Sequence, residues 1–371
     1  TLESRAISSI QQGLQGLAPG INISQRNAAP GELSAISIRG VGSLTTGYEP
    51  LWVIDGIPTD QRNAASINPA DIESIDILKD ASSTAIYGSR GANGVIIITT
   101  KKPKLGKALV NVNISSGLSY VPESFRMEVL NAEEYVQYMT ESYANRGATL
   151  PAEIANWDGV TDTDWQDLIY KVAAFQNYSI SVSGGNEKVS YLMSGNYIDQ
   201  GGVTIGEGYN KYSSRIKLEY RPTEKITIGL NMAPNYSTEE YRGREWDRTP
   251  YYPHVQAAFM SPITPVRNPD GSYAIGVANL TNPLEAAEAY NETKQRFRML
   301  TDGHVSIELF DGLTFKTSIA TSIAFDKYET YQRPTGINRS RNDLISLQIS
   351  QNRSIGWLSE TTVDYKKVIG K

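Results

Sequence analysis

From Val110 onward, apolar and polar residues alternate one by one over long stretches of the chain. In Leu313–Phe325 one face carries Leu313, Phe315, Ile319, Ile323 and Phe325. The other carries Thr314, Lys316, Ser318, Ala320, Ser322 and Ala324. A period of two puts successive side chains on opposite faces of a β-strand and is incompatible with an amphipathic helix. Lys225–Tyr236 follows the same rule, with Ile226, Ile228, Leu230, Met232 and Tyr236 on one face. Tyr212–Tyr220 sets its Tyr, Ile and Leu residues against Ser213, Arg215, Lys217 and Glu219. Val110–Gly117, Tyr178–Ser183, Val189–Ile198, His304–Phe310 and Ile345–Tyr365 alternate likewise, which makes about eight strands.

Roughly ten alternating residues are what a tilted strand needs to cross a bilayer. A soluble sandwich alternates too, so alternation alone leaves both open. Strand length, tyrosines near strand ends (Tyr178, Tyr197, Tyr212, Tyr220, Tyr236, Tyr365) and connection lengths favour the membrane. Tight turns at 184–187, 221–224 and 311–312 face long connections at 119–175, 199–208, 238–293 and 327–343. Short turns on one side and long loops on the other are the pattern of an outer-membrane barrel. The first long connection has room for two helices, because Asn131 with Glu134 and Thr163 with Gln166 both read as capping boxes.

Residues 1–103 have a different grammar and read as a mixed α/β domain; 104–371 form the strand region. Ile7, Ile10, Leu14 and Leu17 lie at helical spacing before Pro19-Gly20. Short strands follow at 21–23, Ala35–Arg39, Leu51–Asp55, Ile72–Leu78 and Val95–Thr100. Asn68-Pro69 starts a helical turn. Asp55-Gly56 reads as a turn. Asp80 is expected to cap a second short helix, Ala81–Tyr87, closed by Gly88.

Composition removes several functions. The formal net charge is −5, and the only basic run is the short Lys101-Lys102-Pro103-Lys104, so no nucleic-acid partner is expected. There is no cysteine, which excludes disulfides and thiolate metal sites. His254 and His304 are the only histidines, little material for a metal centre or a Ser-His triad. No cofactor, metal or catalytic residue is expected. The absence of an apolar run of 18 residues excludes a transmembrane helix. Gly88-Ser89-Arg90-Gly91-Ala92-Asn93-Gly94 lacks the Lys-Ser/Thr of a phosphate loop and precedes a strand, so its glycines serve positive φ and close approach. Asp158, Asp162, Asp164 and Asp167 are more simply helix caps than a calcium site, although calcium stays open.

Three stretches carry a family resemblance: Ser37-Ile38-Arg39-Gly40-Val41-Gly42, Glu49-Pro50-Leu51-Trp52-Val53-Ile54-Asp55-Gly56-Ile57-Pro58, and the run from Asn68 to Ile96 around Asp80-Ala81-Ser82 and Tyr87-Gly88-Ser89-Arg90-Gly91. They resemble the plug domain of TonB-dependent outer-membrane transporters of the SusC/RagA-like branch. Thr163–Asp167 and Gln176–Asn186 are similar to the first barrel segments of that branch. The resemblance implies an α/β plug followed by antiparallel transmembrane β-barrel strands, here about 8 of a roughly 22-stranded wall. It implies a multi-pass protein of the cell outer membrane, surrounded by lipid, that imports a nutrient such as a glycan or a peptide. A SusD-like surface lipoprotein would be its lid, and the TonB complex its energy source. An open sheet of this size would leave two edges in lipid, each with about ten unpaired backbone groups at several kcal/mol apiece. The chain, which opens at Thr1 inside a helix, is therefore expected to be an excerpt of a longer protein.

The plug residues expected in gating or barrel contact are Arg39, Gly40, Asp55, Gly56, Asp80, Gly88, Arg90 and Gly91. Arg39 and Arg90 are either surface residues or point at the wall and pair with a carboxylate there; the resemblance favours pairing. If strands 35–39 and 51–55 pair antiparallel, the loops 25–34 and 57–67 share one end. Arg26, Asn27, Glu32, Asp60, Gln61, Arg62 and Asn63 would then face substrate, and the 41–50 loop with Tyr48 the periplasm. The alternative functions are a passive or adhesive outer-membrane barrel without energy coupling, and a glycan-active enzyme whose paired carboxylates geometry would have to set.

Overall fold

The N-terminal domain runs α1 (Ile10–Leu14), β1 (Ile21–Ser24), β2 (Ala35–Ile38), β3 (Leu51–Ile54), β4 (Ile57–Thr59), α2 (Gln61–Ser66), β5 (Ile72–Leu78) and β6 (Val95–Thr100). The computed structural model describes residues 10–14, 16, 20–24, 29–38, 40, 49–80, 85–241, 253–277, 280–335 and 345–367. β3 and β6 are continuous apolar runs and pair in parallel at the centre of a sheet ordered β4-β3-β6-β5. Runs apolar on both faces suit strands covered on both sides. Trp52, Ile54, Ile96 and Ile98 join Ile10, Leu14, Ile36 and Ile38 in the main core, while Leu51, Val53 and Val95 form a second core on the opposite face.

The expected pairing of strands 35–39 and 51–55 does not occur. One edge of β3 is taken by β6 and the other by the hairpin to β4, so β2 pairs with β1 in a separate two-stranded sheet. The second short helix also differs. Ala85–Gly91 forms 3₁₀ turns interrupted at Gly88, whose φ of 57° breaks the helical path; residues 81–84 lie outside the described ones. Gly94 serves close approach, since a Cβ there would sit 2.8 Å from Ile38 Cδ1.

Eight strands follow: β7 (Gly106–Ser119), β8 (Ala173–Gly185), β9 (Val189–Gly201), β10 (Gly208–Thr223), β11 (Ile226–Tyr241), β12 (Tyr290–Phe310), β13 (Leu313–Gln332) and β14 (Ser346–Tyr365). They form one antiparallel sheet in which every strand pairs with its sequence neighbours, with β7 and β14 at the edges. This is the wall. The last three strands have 21, 20 and 20 residues, well beyond the expected ten, and they shorten two of the long connections. A 20-residue strand reaches about 65 Å. That exceeds the length a tilted crossing of an apolar layer about 30 Å thick requires. Tight turns close on residues suited to them: Gly312 takes φ 82°, and Asn186 Oδ1 accepts from the backbone N–H groups of Lys188 and Val189.

One outward row of the wall is aromatic. Tyr178, Tyr197, Tyr212, Tyr236, Phe297 and Phe325 are successive register partners across β8 to β13. Ring centroids are 6.4 Å apart for Tyr178–Tyr197, 4.7 Å for Tyr197–Tyr212 and 6.0 Å for Phe297–Phe325. The row follows the hydrogen-bonding direction, so across tilted strands it runs obliquely over the outward face.

The two longest connections fold together. The first holds α3 (Ala132–Asn145), α4 (Ala152–Ala155) and α5 (Trp165–Ile169); the other holds α6 (Pro253–Phe259) and α7 (Pro283–Ala289). Trp165 and Ile169 pack on Ala257 and Met260, and Ala132 and Ile154 on Ile263. The Asn131–Glu134 capping box forms as expected. The one expected at Thr163–Gln166 does not. Asp164 caps α5, Thr163 donates its hydroxyl hydrogen to Thr264 O at 2.9 Å, and Gln166 bonds the backbone of Met127. Partners outside the local turn outweigh the expected cap.

Candidate functional site at the plug–wall interface

Residues Asp55 (φ 49°) and Gly56 (φ 89°) form the whole β3–β4 turn. Two positive φ values in a two-residue hairpin define a type I′ turn, which Asp-Gly favours. The turn holds the Asp55 carboxylate against the end of β6. Its Oδ1 accepts from Thr100 N at 2.9 Å and its Oδ2 from the Thr100 hydroxyl at 2.6 Å.

The wall meets this carboxylate with two cations from β10. Lys217 Nζ lies 3.0 Å from Asp55 Oδ2, and Arg215 Nη1 lies 3.5 Å from it. Arg215 Nη1 also donates to Thr100 Oγ1 at 3.1 Å and Asn231 Oδ1 at 3.2 Å, while its Nε is 3.8 Å from Asp71 Oδ2. Lys217 donates to the same Thr100 hydroxyl. The hydroxyl thus gives its proton to Asp55 and accepts from both cations, using its full hydrogen-bonding capacity. The Arg215 side chain is 2% exposed. A charge so buried needs its partners.

Two further contacts flank this one. Lys211, on the same inward face of β10, donates to Ala65 O at 3.0 Å in the last turn of α2. Plug Glu32 lies 3.4 Å from Lys294, which also pairs with Glu239 at 3.0 Å. Asn63 Nδ2 donates to Ser322 Oγ at 3.2 Å, and the wall residue Leu300 joins the plug core.

The charges at this interface have a fixed polarity: acids on the plug, bases on the wall. Burial works against the Asp55 carboxylate, but Lys217, the Thr100 hydrogen bonds and Arg215 together hold its pKa below the ordinary value. Burial raises the pKa of Asp71 despite Arg215. Burial and then the Glu239 charge raise that of Glu32 against the pull of Lys294.

Of the expected gating residues, Asp55 meets the wall, and Gly56 shares its turn. Gly40, Asp80, Gly88 and Arg90 are exposed, and Gly91 is buried among the 3₁₀ turns. Arg90 makes no ion pair among the described residues, so its expected pairing with a wall carboxylate is not formed there; the pairing seen has the opposite polarity. Arg39 lies outside the described residues, as do Arg26, Asn27 and Tyr48. Of the expected substrate-facing residues, Asp60 caps α2, and Gln61 is buried with its Nε2 donating to Ser34 O at 2.6 Å. Arg62 is exposed, and Asn63 and Glu32 touch the wall. The aspartates weighed for calcium act locally: Asp158 closes its own turn, Asp162 accepts from Ala132 N and Asp164 caps α5. The described residues hold no cluster of three or more ligating side chains.

Arg215, Lys217, Lys211, Asp71 and Thr100 were not among the expected contacts. Their signal was present: three cations share the inward face of one strand whose other face is apolar. Alternation identifies that face but not what it meets.

The TonB-dependent Receptor Plug Domain family matches residues 1–95. A TonB-dependent receptor of Formosa agariphila is 35% identical over 98% of this chain and 37% of its own length. TonB-dependent receptor SusC of Bacteroides thetaiotaomicron is 31% identical over 76% of this chain and 30% of its own. The chain spans about a third of the length of these relatives. The solved RagAB peptide importer in its closed-closed state superposes with a TM-score of 0.81 over 100% of this chain and 45% of that one, at 24% identity, a likeness of fold. Sequence kinship across nearly the whole chain thus agrees with a plug seated against meandering wall strands, and the chain belongs to the TonB-dependent receptors of the SusC/RagA-like branch.

Proposed function

We propose that this chain supplies the plug and adjoining wall of an outer-membrane importer, which takes up a polar nutrient, a glycan or a peptide. The observation that carries this reading is the buried set Asp55, Asp71, Thr100, Arg215 and Lys217, which fastens plug to wall by charge-assisted bonds. Such bonds are strong while water is excluded, and their groups re-form equivalent bonds with water when the two bodies part. A seal of this kind holds a pore shut and still releases. A SusD-like surface lipoprotein would cover the long-connection end, and the TonB complex would pull the plug from the other. The kinship with SusC and the likeness to a peptide importer support this, and no catalytic role is assigned.

Uptake of labelled oligosaccharides and oligopeptides by intact cells carrying the whole receptor tests it. Import should be abolished by a protonophore and by loss of the TonB complex. Uptake that survives both treatments would make the protein a passive pore; surface binding with no uptake would make it adhesive.

A further inference from the structure

We propose that the junction of α2 with β10, β11 and β12 is an anion-binding site that takes one carboxylate or sulfate group of the imported ligand. The inference deepens the import reading and rests on it. A cavity of 50 Å³ lies there, lined by Arg62 of the plug and Lys211, Arg296 and Arg298 of the wall, with Asn235 and Ser237 between them. Four cations line it and no carboxylate does. The balancing acids sit behind the lining: Glu239 is 2.6 Å from Arg296, and Asp326 is 2.7 Å from Arg298.

Two buried donors are underused. Arg296 Nε has no hydrogen-bond acceptor among the described residues. Lys211 is 2% exposed and spends its three N–H groups on one described acceptor, Ala65 O. Buried donors of this kind are ordinarily satisfied, so each calls for a partner. The cavity exceeds the space one water molecule needs and suits a group of a few heavy atoms. An anion accepting from guanidinium and ammonium groups fits both the lining and the unsatisfied donors. Asn235 and Ser237 would take hydroxyl or amide groups beside it.

The placement ties binding to the plug. Arg62 belongs to α2, and the same helix receives Lys211 at Ala65 and reaches Ser322 through Asn63. An anion drawing Lys211 toward itself competes with the Ala65 carbonyl, so ligand arrival loosens a contact between plug and wall.

The whole receptor, crystallised and soaked with selenate, tests the site through the anomalous signal of selenium. A selenate peak is expected in the cavity. Arg62 is exposed, so the Arg62→Gln receptor should fold and crystallise as the parent does, with selenate occupancy reduced at least fivefold. A trisaccharide of galacturonic acid, a sulfated galactose trisaccharide and an acidic tripeptide are then competed separately against selenate. The one that displaces it identifies the source of the anionic group, and the neutral galactose trisaccharide should displace nothing. Absence of the peak, unchanged occupancy in Arg62→Gln, or a peak that none of the three acidic competitors displaces would each overturn the proposal. If the parent receptor still shows protonophore-sensitive uptake in any of those cases, the import reading stands without it.

Discussion

The plug and the wall bury apolar surface in opposite ways. In the plug, β3 and β6 are four to six residues long, apolar on both faces, and enclosed in a core rich in isoleucine. In the wall, strands up to 21 residues long keep one apolar face outward. Many of its large apolar side chains stay exposed, including Ile216, Leu218 and Tyr236. A soluble body hides its apolar groups from water, whereas a membrane wall presents them to lipid and turns its polar face inward. The polar contacts between the two bodies therefore lie where the wall's inward face meets the plug, and there the charges divide by body.

The sharpest way to break this comparison is Arg215→Met. It leaves Asp71 and part of the Asp55 set buried without their cation, a change that costs about 3–5 kcal/mol. Limited proteolysis of the whole receptor should cut the plug far sooner while the strand signal in circular dichroism holds. Equal loss of both would show that plug and wall are one cooperative body. Gly94→Ala acts within the plug alone. Positive φ and the approach of Ile38 Cδ1 make it destabilising by about 1–3 kcal/mol, read as earlier plug cleavage with the wall unchanged. Tyr212→Ala does the reverse. It breaks the aromatic row at its shortest ring spacing and should lower wall stability by about 1 kcal/mol, measured as a lower thermal midpoint of the strand signal.

The smallest effect near neutrality comes from pH. The Asp55 pKa is depressed in the folded protein, so its contribution is complete above its unfolded value of about 4 and is lost as pH falls through the folded pKa. Plug protection should thus be flat in this respect from neutral pH down to about 4 and decline below. In Asp55→Asn that acid limb of the proteolysis profile should be absent.

The wall was the more legible body. Leu313–Phe325 states its strand and its two faces through alternation alone, because each residue's environment depends on a single period. The Asp55-Gly56 turn and the Asn131–Glu134 box were equally readable, being set by neighbours two or three residues apart. The plug pairing was not. Whether Ala35–Ile38 or Val95–Thr100 joins Leu51–Ile54 depends on which edges are already taken, and strand propensity is silent about that. Thr163 and Gln166 show the same limit, since residues 101 and 39 positions away claimed the groups that a local cap would have used. The candidate site was half visible. Asp55 looked like a turn residue and is also an ion-pair partner. Arg215 looked like one polar residue among several, because its burial comes entirely from a second body laid over the strand.

Lys211, Arg215 and Lys217 stand in file along a single strand. A tension applied at one end of such a file is felt by one fastening at a time, as when tape is peeled, and the peak force is that of the strongest fastening. The same three spread across the direction of pull would share the load and yield only together.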